Sequence, residues 1–176
     1  SATGLGASAI KAAVERSGVS VDNIDEVIMG CILTAGLGQG PARQAMRKAG
    51  LNDATGAVTI NKLCGSGLKA VMQAHDGIKA GSFNVAVAGG MESMTNAPYI
   101  MPGSRGGYRM GHKEVKDHMF LDGLEDAETG KLMGQFAQEM ADEKGYSREQ
   151  MNEFAIESLN CALTAIKVDH FKDEIV

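Results

Sequence analysis

Three short apolar runs set the tightest limit on what this chain can become: "IDEVIMGCIL" (24–33), "GAVTINKL" (56–63) and "NVAVAGGMES" (84–93). Each has the length and the apolar content of a buried strand, and none is followed closely enough by the next to close a tight hairpin. Helix-patterned segments fill the intervals. Strands joined by such crossovers lie side by side and need cover on both faces, which is the logic of an α/β layered fold with a mainly parallel sheet.

The helical segments carry their own punctuation. Over 6–17, with Leu5 just before it, Ala9, Ala12, Ala13 and Val14 supply an apolar face and Gly18 a stop. Pro41 stands where a first-turn proline belongs, ahead of "ARQAMRKAG", and Gly50 closes that helix. Residues 67–81 predict a helix with Leu68, Val71, Met72, Ala74 and Ile78 toward one side. After residue 96 the pattern lapses into a glycine- and proline-bearing stretch without a sustained period, which at that length is either functional or a linker. Helical spacing resumes at "KLMGQFAQEMADEKG" and "SREQMNEFAIESLNCALTAIKV", where Ser147 and Gln150 have capping-box spacing. The terminal "FKDEIV" reads as the start of a strand. Two domains are therefore expected, 1–95 and 96–176.

Charge and composition exclude several classes. Lys+Arg of 17 against Asp+Glu of 22 gives a net charge of −5, which offers no basic field for nucleic acid or an anionic membrane. Aromatic residues at 5% supply no base-stacking platform. No apolar run approaches bilayer length. Cys31, Cys64 and Cys161 are odd in number and widely spaced, so neither a disulfide framework nor a CxxC metal site is expected. That cysteine usage favours a reducing, intracellular setting, and a cytoplasmic location is expected.

Cys64 is the residue with the most chemical content. In "VTINKLCGSGLKAV" it lies between a strand end and a helix start, where unpaired backbone N–H groups and the helix dipole favour a thiolate. Gly65, Ser66 and Gly67 leave room for a substrate carbonyl near the backbone, and an N–H of the turn, that of Cys64 included, could donate to an oxyanion. The presentation resembles the nucleophile elbow of α/β-hydrolases. A buried, inert cysteine is the plain alternative. A second alternative is a nucleotide-binding module, since Gly65, Gly67 and Ala70 satisfy G-x-G-x-x-A after a strand, with Glu92 as a distant ribose acid. A non-catalytic interaction fragment is the third. None of His75, His112, His118 and His170 can be assigned from sequence as the base for Cys64.

Four stretches taken together resemble the thiolase family, especially its biosynthetic acetoacetyl-CoA branch: "NKLCGSGLKAV", "VAGGMESMTNAPY", "GQGPARQA" and "DGLEDAETGKLMG". They occur in the family's order and span the chain. The resemblance implies a thiolase-like layered α/β fold lacking its first strand, with an inserted loop domain cut short at its C-terminal end. It implies acyl transfer through an acyl-cysteine on Cys64: condensation of two acetyl-CoA to acetoacetyl-CoA, and the reverse thiolysis. Leu124 and Met133 match positions that line the coenzyme A site, and Leu132 stands where some members carry a histidine. "GGMESM" (89–94) matches a glycine-rich turn near the active site, with Glu92 a hydrogen-bonded carboxylate rather than a catalytic one. Coenzyme A enters as part of the substrate, and the resemblance implies no metal or bound cofactor. A homodimer or homotetramer is implied, with the 103–122 excursion matching a tetramer-contact segment of bacterial members. The family's activating histidine, asparagine and second cysteine belong to its C-terminal half, so little turnover is expected of these 176 residues alone. Cys31 and Cys161 are expected to be packing residues.

Overall fold

The computed structural model describes residues 1–176. Two compact units divide it, Ser1–Ala127 and Glu128–Val176. The first is built on a three-stranded parallel sheet of β1 (Glu26–Gly30), β2 (Gly56–Ile60) and β3 (Ala86–Gly90), in the order β2-β1-β3. The register aligns the strand ends: Gly30 sits beside Ile60 on one side and Gly90 on the other. The sheet is fully parallel, as expected where every connection is a helical crossover.

Side chains of β1 alternate between two helical layers, as the pleat requires. Val27 and Met29 enter a core with Ile10 and Val14 of α1 (Ala2–Ser17) and Ala42, Ala45 and Met46 of α2 (Pro41–Lys48). Ile28 faces the other way, onto Ala70 and Ala74 of α3 (Ser66–Ala80). Pro41 opens α2 as the sequence suggests, and the Thr59 hydroxyl on β2 accepts the Ala42 N–H at 2.9 Å. Gly18, at φ 68°, closes α1 in the left-handed conformation that a side chain would resist.

On α1 and α3 the expected apolar faces are met only in part: Val14 and Ala74 are buried, but most of the other residues expected there are not. On α1 the buried stripe is Thr3, Gly6, Ala7, Ile10 and Val14, while Leu5 is exposed. On α3 it is Ser66, Ala70 and Ala74, and Leu68, Val71, Met72 and Ile78 all lie outward, Leu68 at 70% exposure. Small residues win because they let a helix axis approach the sheet. Gly6 leaves a space filled by Met91, whose Sδ would stand 2.6 Å from a Cβ placed there.

The irregular stretch after residue 96 belongs to the first unit. Within it β4 (Tyr99–Ile100) and β5 (Lys116–Asp117) pair antiparallel, and Phe120–Leu124 forms a π-helical turn. The change of character at residue 96 is thus not the boundary between compact units, which falls after Ala127. The second unit contains α4 (Met133–Lys144) and α5 (Arg148–Lys167). Ser147 caps α5 as its spacing predicts: its hydroxyl accepts the Gln150 N–H at 3.2 Å, and Gln150 Oε1 accepts the Ser147 N–H at 2.8 Å. The strand expected at "FKDEIV" does not form. Backbone groups there close turns instead, Lys172 N–H onto Asp169 O and Glu174 N–H onto Phe171 O, as an unpaired strand cannot do.

Candidate active site

The turn between β2 and α3, residues 61–65, carries Cys64 at the C-terminal edge of the parallel sheet, where ligands of such folds bind. The turn is knitted by its own polar groups. The Asn61 side-chain oxygen accepts the Leu63 N–H at 2.9 Å. Ser66, buried at the start of α3, accepts the Lys62 N–H at 2.8 Å and donates its hydroxyl to Leu63 O at 2.6 Å. Gly65 N–H and Ser66 N–H close back onto Lys62 O and Leu63 O, at 3.1 and 2.9 Å. Four amides, those of Lys62, Leu63, Gly65 and Ser66, are thereby used inside the turn.

Leu63 has φ +48°, the left-handed region that a branched side chain enters at a cost. Strain immediately before a nucleophile is the mark of an elbow, and here the Asn61 and Ser66 bonds hold it in place. Cys64 itself is exposed. The inert, buried reading therefore does not describe this cysteine.

Glycines beneath the turn let α3 descend onto the sheet. A Cβ on Gly30 would lie 2.5 Å from the Ser66 carbonyl carbon, and one on Gly90 would lie 3.3 Å from Gly67 Cα. A Cβ on Gly67 would in turn lie 3.6 Å from Gly90 N and 3.7 Å from Gly90 Cα. The glycine pattern that admits a dinucleotide reading is thus occupied by backbone-to-backbone packing.

Glu92 is a hydrogen-bonded carboxylate, as the "GGMESM" stretch leads one to expect. It accepts the Ile32 N–H at 2.8 Å, the Leu33 N–H at 3.0 Å and the Cys31 thiol at 3.5 Å. It ties the segment after β3 to the loop after β1. Burial, with the adjacent Glu92 charge, pushes the Cys31 thiol up to about 12, so this buried cysteine stays protonated and unreactive. Cys161 departs from expectation: it is exposed on α5 rather than packed in a core. Its neighbours along the helix are themselves on the surface, Leu159 and Leu163 included.

The histidines separate into different environments. His75 is exposed on α3 and pairs with Asp76 at 3.2 Å. His118 is buried and contacts Asp122. Leu124 ends the π-helical turn, half buried in the first unit. Met133 is the exposed first residue of α4 in the second unit, preceded by Leu132, whose N–H is accepted by Gln135 Oε1 at 2.8 Å. Neither the Ser66 clasp nor the His118–Asp122 pair is apparent from sequence. The Asn at two residues before Leu63 is the one local signal of the turn, since Asn side chains make such bonds.

Comparison with known proteins agrees with this architecture. The thiolase N-terminal domain family matches residues 1–176. An acetyl-CoA acetyltransferase of Cupriavidus necator is 53% identical over 172 residues, covering 98% of this chain and 44% of that protein. One from Escherichia coli is 48% identical over 177 residues, covering 100% of this chain and 45% of that protein. The chain thus spans less than half the length of these relatives. Among solved structures, the Acat5 thiolase of Ascaris suum in complex with coenzyme A superposes with a TM-score of 0.94 at 38% identity, covering 100% of this chain and 46% of that one. The chain belongs to the thiolase family, and its residues 1–176 correspond to the family's N-terminal domain.

Proposed function

We propose that the full-length protein is an acetyl-CoA C-acetyltransferase in which Cys64 carries the acyl group. The observation that supports this most directly is the turn itself: it presents an exposed thiol at a helix N-terminus and uses the amides on either side, but not that of Cys64. The Cys64 thiolate adds to the thioester carbonyl, and the developing oxyanion is met by the Cys64 N–H. The carbon–sulfur bond to coenzyme A then breaks, and the departing thiolate takes the proton that the Cys64 thiol gave up. A second acetyl-CoA gives up an α-proton, its carbanion adds to the acyl-cysteine carbonyl, and as the new carbon–carbon bond forms the carbon–sulfur bond to Cys64 breaks, the Cys64 thiolate taking up that proton. Run backwards, the same steps cleave acetoacetyl-CoA. Thioester exchanges for thioester in the acyl transfer to Cys64, whereas the condensation consumes the acyl-cysteine thioester as the carbon–carbon bond forms. Leu124 and Met133 line the coenzyme A portion of the substrate, and the protein works as a homodimer or homotetramer without a bound cofactor.

The test is covalent. Full-length protein incubated with acetyl-CoA should gain one acetyl group on the Cys64 peptide by mass spectrometry, and Cys64→Ser should lose both the label and turnover. Acetylation at another residue, or undiminished turnover in the variant, would overturn the assignment.

A further inference from the structure

His118 is a buried polar side chain for which the chemistry at Cys64 has no use. It is 6% exposed. Its Nε2 accepts the Ala35 N–H at 3.4 Å, and its Nδ1 stands 2.6 Å from Asp122 Oδ2. An amide can only donate, so Nε2 is the acceptor and the ring proton sits on Nδ1, where it is donated to the Asp122 carboxylate. The His118 main-chain N–H is accepted by Pro98 O at 3.1 Å. One imidazole thereby joins the loop after β1 to the segment that enters the π-helical turn.

The turn that follows is seated on the same loop. A Cβ on Gly123 would lie 3.5 Å from Leu33 Cδ2, an ordinary contact, and the Glu125 N–H closes the turn onto Phe120 O at 2.9 Å. Leu33 is one of the two residues whose amides Glu92 holds. A continuous route therefore runs from the end of β3 through Glu92 to residues 32–35, from there through His118 and Asp122 to 120–124, and ends at Leu124. π-Helical turns are rare and concentrate at functional sites, because their wider spacing re-aims a side chain without breaking the helix. Such a turn is poorly stabilised by itself and needs an external clamp.

We propose that His118, held by Asp122, is a positioning residue that fixes the π-helical turn on the loop after β1 and so sets Leu124 against the coenzyme A portion of the substrate. This rests on the reading of Leu124 as a coenzyme A contact. His118 touches no reacting atom. Its effect falls on the binding of the carrier, whereas the thiol at Cys64 is presented by a separate turn.

Steady-state kinetics of the full-length enzyme with acetyl-CoA distinguish the two. Asp122 is partly exposed, so Asp122→Ala removes the clamp without opening a core cavity and carries the test even if His118→Ala fails to fold. Each variant should raise KM for acetyl-CoA about tenfold, as loss of a hydrogen bond to a charged group does, with kcat within about twofold. The double variant should be no worse than the weaker single, because both remove one clamp. Asp122→Asn retains an oxygen for the Nδ1–H and should restore KM to within about threefold of the wild type. Alkylation of Cys64 by iodoacetamide, which does not use the carrier site, should keep its wild-type rate in every variant. An unchanged KM in Asp122→Ala, a fall in kcat at constant KM, or slower Cys64 alkylation would each overturn the proposal. Wild-type enzyme that never acetylates Cys64 overturns the functional reading and this inference with it. Wild-type enzyme that does acetylate, paired with an unaffected Asp122→Ala, overturns the clamp alone.

Discussion

Gly30 lies against the main chain of Ser66: a Cβ on Gly30 would fall 2.5 Å from the Ser66 carbonyl carbon and 2.7 Å from Gly67 N. At this point the central strand and the start of the helix that follows Cys64 touch with no side chain of the strand between them. The position of the thiol relative to the sheet is set by that contact.

Gly30→Ala should accordingly displace the start of α3 rather than a flexible side chain. Overpacking of this kind costs about 1–3 kcal/mol, read as a lowered urea midpoint, with a parallel drop in the acetylation rate of Cys64. Gly89 provides the internal control. A Cβ there would come no closer than 3.8 Å, to Met29 Sδ, so Gly89→Ala should leave both quantities near wild type. Equal damage from the two substitutions would mean that close approach is not what these glycines provide.

Leu63 makes a second, independent case. Its φ of +48° is tolerable for an unbranched Cβ and much less so for a β-branched one. Because the side chain is largely exposed, packing should contribute little. Leu63→Val is expected to destabilise by roughly 1–2 kcal/mol, whereas Leu63→Gly should be close to neutral. Chemical denaturation of the two variants side by side decides it, and a Val variant as stable as the Gly variant would remove the argument for strain at the elbow.

The Cys31 thiol gives a pH dependence with a definite sign. Its ordinary value is 9.0, and in the fold it is pushed up to about 12, chiefly by burial and then by the Glu92 charge. Between those values the unfolded chain releases the Cys31 proton while the folded chain keeps it. The unfolded state then binds fewer protons, so stability falls as pH rises from 9 toward 12 and is fully present below 9. Cys31→Ala should flatten that portion of the stability–pH curve relative to wild type. At neutral pH, alkylation followed by peptide mapping should modify Cys64 and spare Cys31. Modification of both at similar rates would contradict the buried, protonated thiol.

What could be read from the chain and what could not follows from how far each signal reaches. Strand runs and their helical crossovers are local, and the three parallel strands fall within the three apolar runs. Pro41 and the Ser147–Gln150 pair lie where their spacing places them, because a cap is decided within four residues. The buried faces of α1 and α3 are only partly legible: Val14 and Ala74 are buried as expected, but Ala, Ser and Gly carry little hydrophobic signal yet permit close approach, while Leu68 and Met72 carry much and lie outward. Glu92 is recognisable as a carboxylate in need of partners. Its partners lie about sixty residues away, and no local pattern names Ile32 or Leu33. His118 reaches across 83 residues to Ala35, which is why its burial has no trace in the sequence around it. Cys64 shows the opposite case: the hydrogen bonds that shape its turn all run between residues 61 and 66.

Glu92 supplies the last expectation. It accepts from two main-chain amides and a thiol that lie on a different strand connection from its own, so removing it leaves the Ile32 and Leu33 amides without an acceptor. A partly buried orphaned amide costs about 1–3 kcal/mol, and two of them set the scale for Glu92→Ala. Glu92→Gln retains one oxygen and turns the other position into a donor, which faces amides that can only donate. It should therefore recover only part of the loss. The loop it holds abuts the end of β1, where the Cys31 N–H is accepted by Ile60 O at 3.0 Å just ahead of the cysteine turn. Loss of Glu92 should consequently lower stability and Cys64 acetylation together. Hydrogen exchange at the Ile32 and Leu33 amides reads the mechanism directly: faster exchange in both variants, larger for Ala than for Gln, is expected. Unchanged protection with lost activity would instead place Glu92 in contact with the substrate.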